Sequence, residues 1–191
     1  MPLPGDAGGI GYRVSKRLFI GLELPASCRE TLAALGPRVN GLRWLPAELS
    51  HLTLNFLGDV ESEHEARLRE ALALVRVPPF FLPIQGVGVF GGAKPSVVWA
   101  GVGKGHPHLF ALNKHVQDAV LRARLEPDLR PFHPHVTIAR VKGVPRAALL
   151  PFLRKHPEAE FGLVKVTDFV LFSSVLSSTG ARHAVEMRWE L

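Results

Sequence analysis

Two short stretches of this chain repeat one spacing of an imidazole and a hydroxyl, His51-Leu52-Thr53 and His135-Val136-Thr137. Side chains alternate faces along an extended strand. His51 and Thr53 therefore share one face, with Leu52, Leu54 and Phe56 on the other, and His135 and Thr137 repeat this against Val136 and Ile138. An unperturbed histidine titrates near about pH 6.5, so two imidazoles facing one volume divide proton transfer, one taking a proton and the other giving one. The threonine hydroxyls are small donors suited to the non-bridging oxygens of a tetrahedral anion. Arg140 adds a fork for phosphate. In a regular strand it points away from His135 and Thr137, so its use as a clamp requires the strand to end or bulge near Ala139.

Other candidates carry less. His106-Pro107-His108 and His133-Pro134-His135 have a His-x-His spacing known from metal sites, yet neither has an evident third ligand, and the proline in each suits a turn. The carboxylates of a metal-assisted phosphodiesterase are missing around the motifs, which favours metal-free acid/base chemistry. Trp44 and Trp99 read as core. Phe19 belongs to a strand expected beside the motif strands and is a candidate for the cleft wall. Gly88 to Gly92 lacks the following Lys-Ser or Lys-Thr of a phosphate-binding loop.

The elements that must position these groups follow from patterning. At 191 residues and 47% apolar the chain suits one domain with a substantial core. Met1 to Lys16, rich in glycine and without hydrophobic period, reads as a flexible leader lacking a signal peptide's apolar centre. The single cysteine, Cys28, excludes a disulfide framework and a cysteine-based zinc site. Lysine and arginine outnumber acids 23 to 17, a formal +6 that favours phosphate-bearing partners. No stretch is apolar enough to span a bilayer, and the expected location is cytoplasmic. Arg17 to Leu24 reads as a buried strand. Ser27 with Glu30, and Ser62 with Glu65, mark capping boxes opening helices that end near Gly36 and Arg76. Phe80 to Phe90 and Ser96 to Val102 read as strands, Pro107 to Leu125 as the longest helix, and Pro145 to Lys155 as another. Phe161 to Val175 and Arg182 to Trp189 form a hairpin about Thr179-Gly180. The two halves match in order, placing the motifs at equivalent positions of a pseudo-twofold α+β structure.

The pair HLTLNFLG and HPHVTIAR resembles the two signatures of the two-histidine phosphoesterase superfamily. RLFIGLELP, GVGVFGGAKPSVVWAGV and LFSSVLSSTGARHAVEMRW are similar to its bacterial and archaeal RNA 2′,3′-cyclic phosphodiesterase (LigT-like) branch, from Arg17 to the C-terminus. The resemblance implies one bilobal domain over residues 17–191, with antiparallel sheets, outer helices and a central cleft. It implies hydrolysis of RNA or nucleotide 2′,3′-cyclic phosphates to 2′-phosphates, and some relatives also join tRNA halves through a 2′,5′ linkage. No metal or other cofactor, no membrane and no obligate protein partner are implied, and the expected state is a monomer. Position by position, His51 becomes the general acid and His135 the general base. Thr53, Thr137 and Arg140 hold the cyclic phosphate, and Phe19 is a further candidate substrate contact from the place of its strand beside the motif strands. Relatives often carry tyrosine where this chain has His183.

Overall fold

The computed structural model describes residues 15–36, 40–177 and 180–191. Its first strand, β1 (Ser15–Glu23), starts two residues ahead of the expected Arg17. Ser15 pairs with Glu61, and the Lys16 ammonium meets Glu186 at 2.7 Å and Glu65 at 3.3 Å, so charge pairing extends a strand that apolar content alone would begin later. The rest of the expected leader lies outside the described residues. Pro25 stands at the N-cap of α1 (Ala26–Ala33), and Ser27 falls inside the helix, so the expected capping box does not form. The chain continues through β2 (Leu42–Trp44), a 3-10 turn at Ala47–Leu49, β3 (His51–Glu61) and α2 (Ser62–Leu72), where Glu61 takes the N-cap expected of Ser62.

The expected strand Phe80 to Phe90 is two strands, β4 (Phe80–Gln85) and β5 (Val87–Phe90), serving different sheets. They part at Gly86, whose φ of 71° lies in the left-handed region and where a Cβ would come within 2.8 Å of the Pro157 carbonyl. β6 (Val97–Ala100) and α3 (Pro107–Arg122) follow, and the His106 imidazole caps α3 by accepting the His108 N–H at 3.1 Å. Then come β7 (Val136–Val141), α4 (Arg146–Lys155), β8 (Glu160–Val166), β9 (Asp168–Ser177) and β10 (Gly180–Glu190). The first arm of the expected hairpin is likewise divided, because β8 leaves to pair with β4 while β9 pairs with β10. Thr179 of the expected turn lies outside the described residues.

The strands run β10-β9-β1-β3-β7-β6-β5, with β2 also beside β7, and β4-β8 form a separate pair. All these strand pairs are antiparallel, and the helices lie outside, as the α+β expectation has it. The long sheet is two half-sheets, for β3 and β7 share one register pair, Leu52 with Val136. Beyond it the half-sheets diverge and leave a cleft. Behind the junction Leu52 and Val136 are wholly buried in a core shared with Leu68 and Leu72 of α2 and Leu109, Leu112 and Val116 of α3. Burying such side chains is worth roughly 1.5–3 kcal/mol each. A one-residue slip of either strand would turn these apolar groups into the cleft, so the core enforces the facing of the motifs. Among the described residues no helix is long and apolar enough to cross a membrane.

Candidate active site

Extending the Leu52–Val136 register by one residue each way sets His51 across from Thr137 and Thr53 across from His135. Directly opposed side chains on one face stand about 5 Å apart at Cβ, and diagonal ones about 7–8 Å. Each imidazole thus has the other strand's hydroxyl as its neighbour, and the two imidazoles occupy opposite corners of a four-residue square. Gly21 of β1, opposite Thr53, permits the close approach behind it, since a Cβ there would meet the Leu52 carbonyl at 2.6 Å.

A bulge answers the parity problem of Arg140. Val98 of β6 faces Ala139 but Trp99 faces Thr137, so β7 carries an extra residue at Ile138. Ile138 and Ala139 are both buried, and Arg140 emerges on the cleft side with His135 and Thr137. β3 does the same. Ile20 of β1 faces Asn55 while Gly21 faces Thr53, leaving Leu54 extra. Both bulges fall three residues after a motif histidine, and the residue five after it is turned into the cleft. In β7 that residue is Arg140, and in β3 it is Phe56, 51% exposed. This corrects the expectation that Phe56 belongs to the apolar backing. The Leu54 carbonyl, displaced by the bulge, accepts a hydrogen bond at 2.8 Å from the buried Asn113 amide of α3.

The imidazoles are oriented alike. His51 Nδ1 donates to the Leu49 carbonyl at 2.8 Å, and His135 Nδ1 donates to the His133 carbonyl at 2.7 Å. Each bond reaches the residue two before the histidine, fixes the tautomer and turns Nε2 to the cleft. It also gives His133 a role in the site, through its backbone. Burial pushes the His51 pKa down from 6.5 to about 4, with the nearby His183, His135 and Arg140 adding to the effect and the Leu49 carbonyl opposing it. Burial, then His133 and Arg140, also lowers that of His135, against the pull of the His133 carbonyl. Both rings are therefore neutral at pH 7 in the free protein.

The cleft encloses about 1070 Å³ and contains His51, Thr53, His135, Thr137 and Arg140 together. Phe19 lines it too, but at 3% exposure it backs the His51 ring, centroids 4.7 Å apart, instead of offering an open face to a substrate. Sequence reasoning missed the other arginines of the lining, Arg17, Arg43, Arg130 and Arg182, which outnumber its one carboxylate, Glu48. Arg43 stands directly across β2 from Arg140 in β7. Nothing in a three-residue strand announced it. Among the described residues no group of three or more histidine, cysteine or acidic side chains is placed to hold a metal ion.

The model of the 2′-5′ RNA ligase superfamily matches residues 25–174. The chain is 34% identical over 157 residues to an RNA 2′,3′-cyclic phosphodiesterase of Aeropyrum pernix, covering 81% of this chain and 88% of that protein. To the protein of the same name from Escherichia coli K12 it is 31% identical over 180 residues, covering 92% and 97%. Among solved structures, Escherichia coli LigT complexed with 3′-AMP superposes with a TM-score of 0.77 at 29% identity, covering 93% of this chain and 99% of that one. The Thermus thermophilus protein TT0787 superposes at 0.75 and 28%, covering 92% and 97%. The matched span includes both motif strands and the junction between them, and the chain belongs to the 2′-5′ RNA ligase superfamily.

Proposed function

We propose that the protein hydrolyses 2′,3′-cyclic phosphate ends of RNA or nucleotides to 2′-phosphates, using the two motif histidines and no metal. The observation that carries this reading is the single-pair junction at Leu52 and Val136, which sets two imidazoles and two hydroxyls crosswise in one basic cleft. The names of the relatives agree with it. Water attacks phosphorus in line with O3′, the base histidine takes its proton, the P–O3′ bond breaks, and the acid histidine gives O3′ a proton. Thr53 and Thr137 donate to the non-bridging oxygens, and Arg140 with Arg43 offsets their charge. A 5′-hydroxyl in place of water gives the 2′,5′ linkage by the same bond changes, with no nucleotide cofactor. All these groups come from one chain, so a monomer suffices, and an RNA substrate of this kind fits a cytoplasmic protein.

His51 acts as the acid and His135 as the base. Because His51 is neutral in the free protein, the bound phosphate anion has to supply the charge that draws a proton onto it. The low pKa of His51 favours a second reading with the roles exchanged, and pH profiles do not separate the two. A substrate with sulfur in place of the bridging 3′ oxygen does, since a thiolate leaves without a proton. Activity on that substrate returns to the variant lacking the acid and stays lost in the variant lacking the base. The overall reading is tested with chelator-treated protein and a 2′,3′-cyclic nucleotide, whose product is the 2′-phosphate. Full activity in a His51→Ala, His135→Ala double variant refutes it.

A further inference from the structure

The cleft holds a third imidazole. His183 of β10 lines it opposite Ser174 of β9, with its ring set edge-on to His51, centroids 5.2 Å apart at 89°, and edge-on to Phe19 at 4.9 Å and 76°. Phe19 stacks at 4.8 Å on Phe172, both buried, which makes a fixed floor under the two histidines. His183 Nδ1 is buried with no hydrogen-bond partner among the described residues, so no bond among them accounts for that nitrogen.

We propose that His183 is a positioning residue for the reaction: its edge fixes the plane of the His51 ring, and its charge competes with that of His51, so that the pair carries at most one proton. This rests on His51 taking part in proton transfer, as read above. Phe19 confines His51 from one side and the Leu49 carbonyl tethers Nδ1. His183 closes the remaining direction. The groups facing His183 are Ser174 from β9, Phe19 from β1 and His51 from β3. Arg17, Arg140, Arg182 and His135 line the same cleft together with the carboxylate Glu48, whereas Glu186 of β10 is held by Lys16 and Arg69. Among the described residues Glu48 is the one carboxylate of the lining against five arginines, so the cleft offers a doubly protonated pair little neutralising charge. Two imidazoles this close titrate as a unit, and His183 is among the causes that lower the His51 pKa while burial lowers its own.

The test compares wild type with His183→Phe, which keeps a ring and removes the charge, and His183→Ala, which removes both. Ring ¹⁵N NMR follows His51 directly, and kcat and KM are measured against pH on a 2′,3′-cyclic nucleotide. In His183→Phe the His51 titration and its limb of the kcat/KM profile both move alkaline by about one pH unit, between the water-like and interior-like limits of the Coulomb term. His183→Ala shows the same movement and in addition about a tenfold loss of kcat that His183→Phe does not, the size of one poorly aligned acid/base group. A His51 titration unmoved in His183→Phe overturns the charge competition, and equal kcat in the two variants overturns the fixing of the ring. Should His51→Ala keep full activity while the NMR titration moves as expected, it is the reading of His51 as an acid/base group that fails, not the contact with His183.

Discussion

Replacing His51 by asparagine should flatten the acid side of the protein's stability curve. The substitution keeps an N–H that can donate to the Leu49 carbonyl and removes the group that titrates. An unfolded chain protonates this histidine near 6.5, whereas the folded cleft delays it to about 4. Above 6.5 both states are neutral and His51 contributes no pH dependence. As pH falls through the interval the unfolded state binds a proton that the folded state refuses, so stability is lost, and the loss is complete below the folded value. At about 1.4 kcal/mol per pH unit the interval is worth ~3 kcal/mol, an upper figure because the ring opens onto the cleft, yet a large share of a typical stability of about 5–15 kcal/mol. Urea unfolding between pH 7.5 and 4.5 measures it, followed by the fluorescence of Trp44, Trp99 and Trp189. The variant starts less stable at neutral pH because the ring's packing against Phe19 is gone, then closes on the wild type as pH falls. The carboxylate pairs remain in both proteins and drop out of the difference, whereas His183 and His135, whose charges act on His51, leave a smaller coupling contribution in it. Parallel curves across the interval would mean that His51 charges as easily folded as unfolded, and the buried, neutral imidazole on which the chemistry is built would be wrong.

Three further outcomes follow from the site. Arg140→Ala removes a charge-assisted contact of about 1.5–3 kcal/mol, so KM for a cyclic nucleotide rises at least tenfold; an unchanged KM would place its guanidinium away from the phosphate. Phe56→Ala takes an exposed ring off the cleft wall. Base stacking on an aromatic is worth about 1–3 kcal/mol, so KM rises at least fivefold with the pH profile unmoved and Phe56→Trp restoring it, whereas a wild-type KM in Phe56→Ala would deny the ring a base. Asn113→Leu leaves the buried Leu54 carbonyl without its donor. It lowers stability by about 1–3 kcal/mol and, by loosening the bulge, lowers kcat/KM as well; loss of stability with full kcat/KM would separate the bulge from the site.

The two motif strands were legible because their signal is local: a period of two, apolar backing and a repeated pair of functional groups. The helices were legible from their own periodicity, with their ends misjudged where Pro25 and Glu61, not the serines, took the N-caps. What period-two reasoning could not reach was whatever depends on the neighbouring strand. It put Arg140 and Phe56 on the wrong side because a bulge exists only as a mismatch between two strands, and neither β3 nor β7 announces one by itself. The same limit hid Arg43, which matters because β2 lies along β7, and the part of His183, whose ring reaches past β9 to Phe19 of β1.

The bulges also explain how one repeated motif makes a site with two unlike sides. Regular strands would follow histidine and threonine with Asn55 and Ala139 on the cleft face, neither a cation nor an aromatic ring, a site nearly indifferent to which way a ribose enters. An extra residue at the same point in each strand brings a fifth position into play on each side, and there the two copies differ, guanidinium in one and phenyl in the other. On the proposed reading, the charge of Arg140 beside Arg43 would draw the phosphate toward β2 and β7, and the exposed ring of Phe56 would offer the base a face on β3. With phosphate and base directed to opposite walls in this way, the scissile P–O3′ bond would present one end to each histidine. The assignment of acid and base would then be a property of how the strands bulge, not of the motifs themselves.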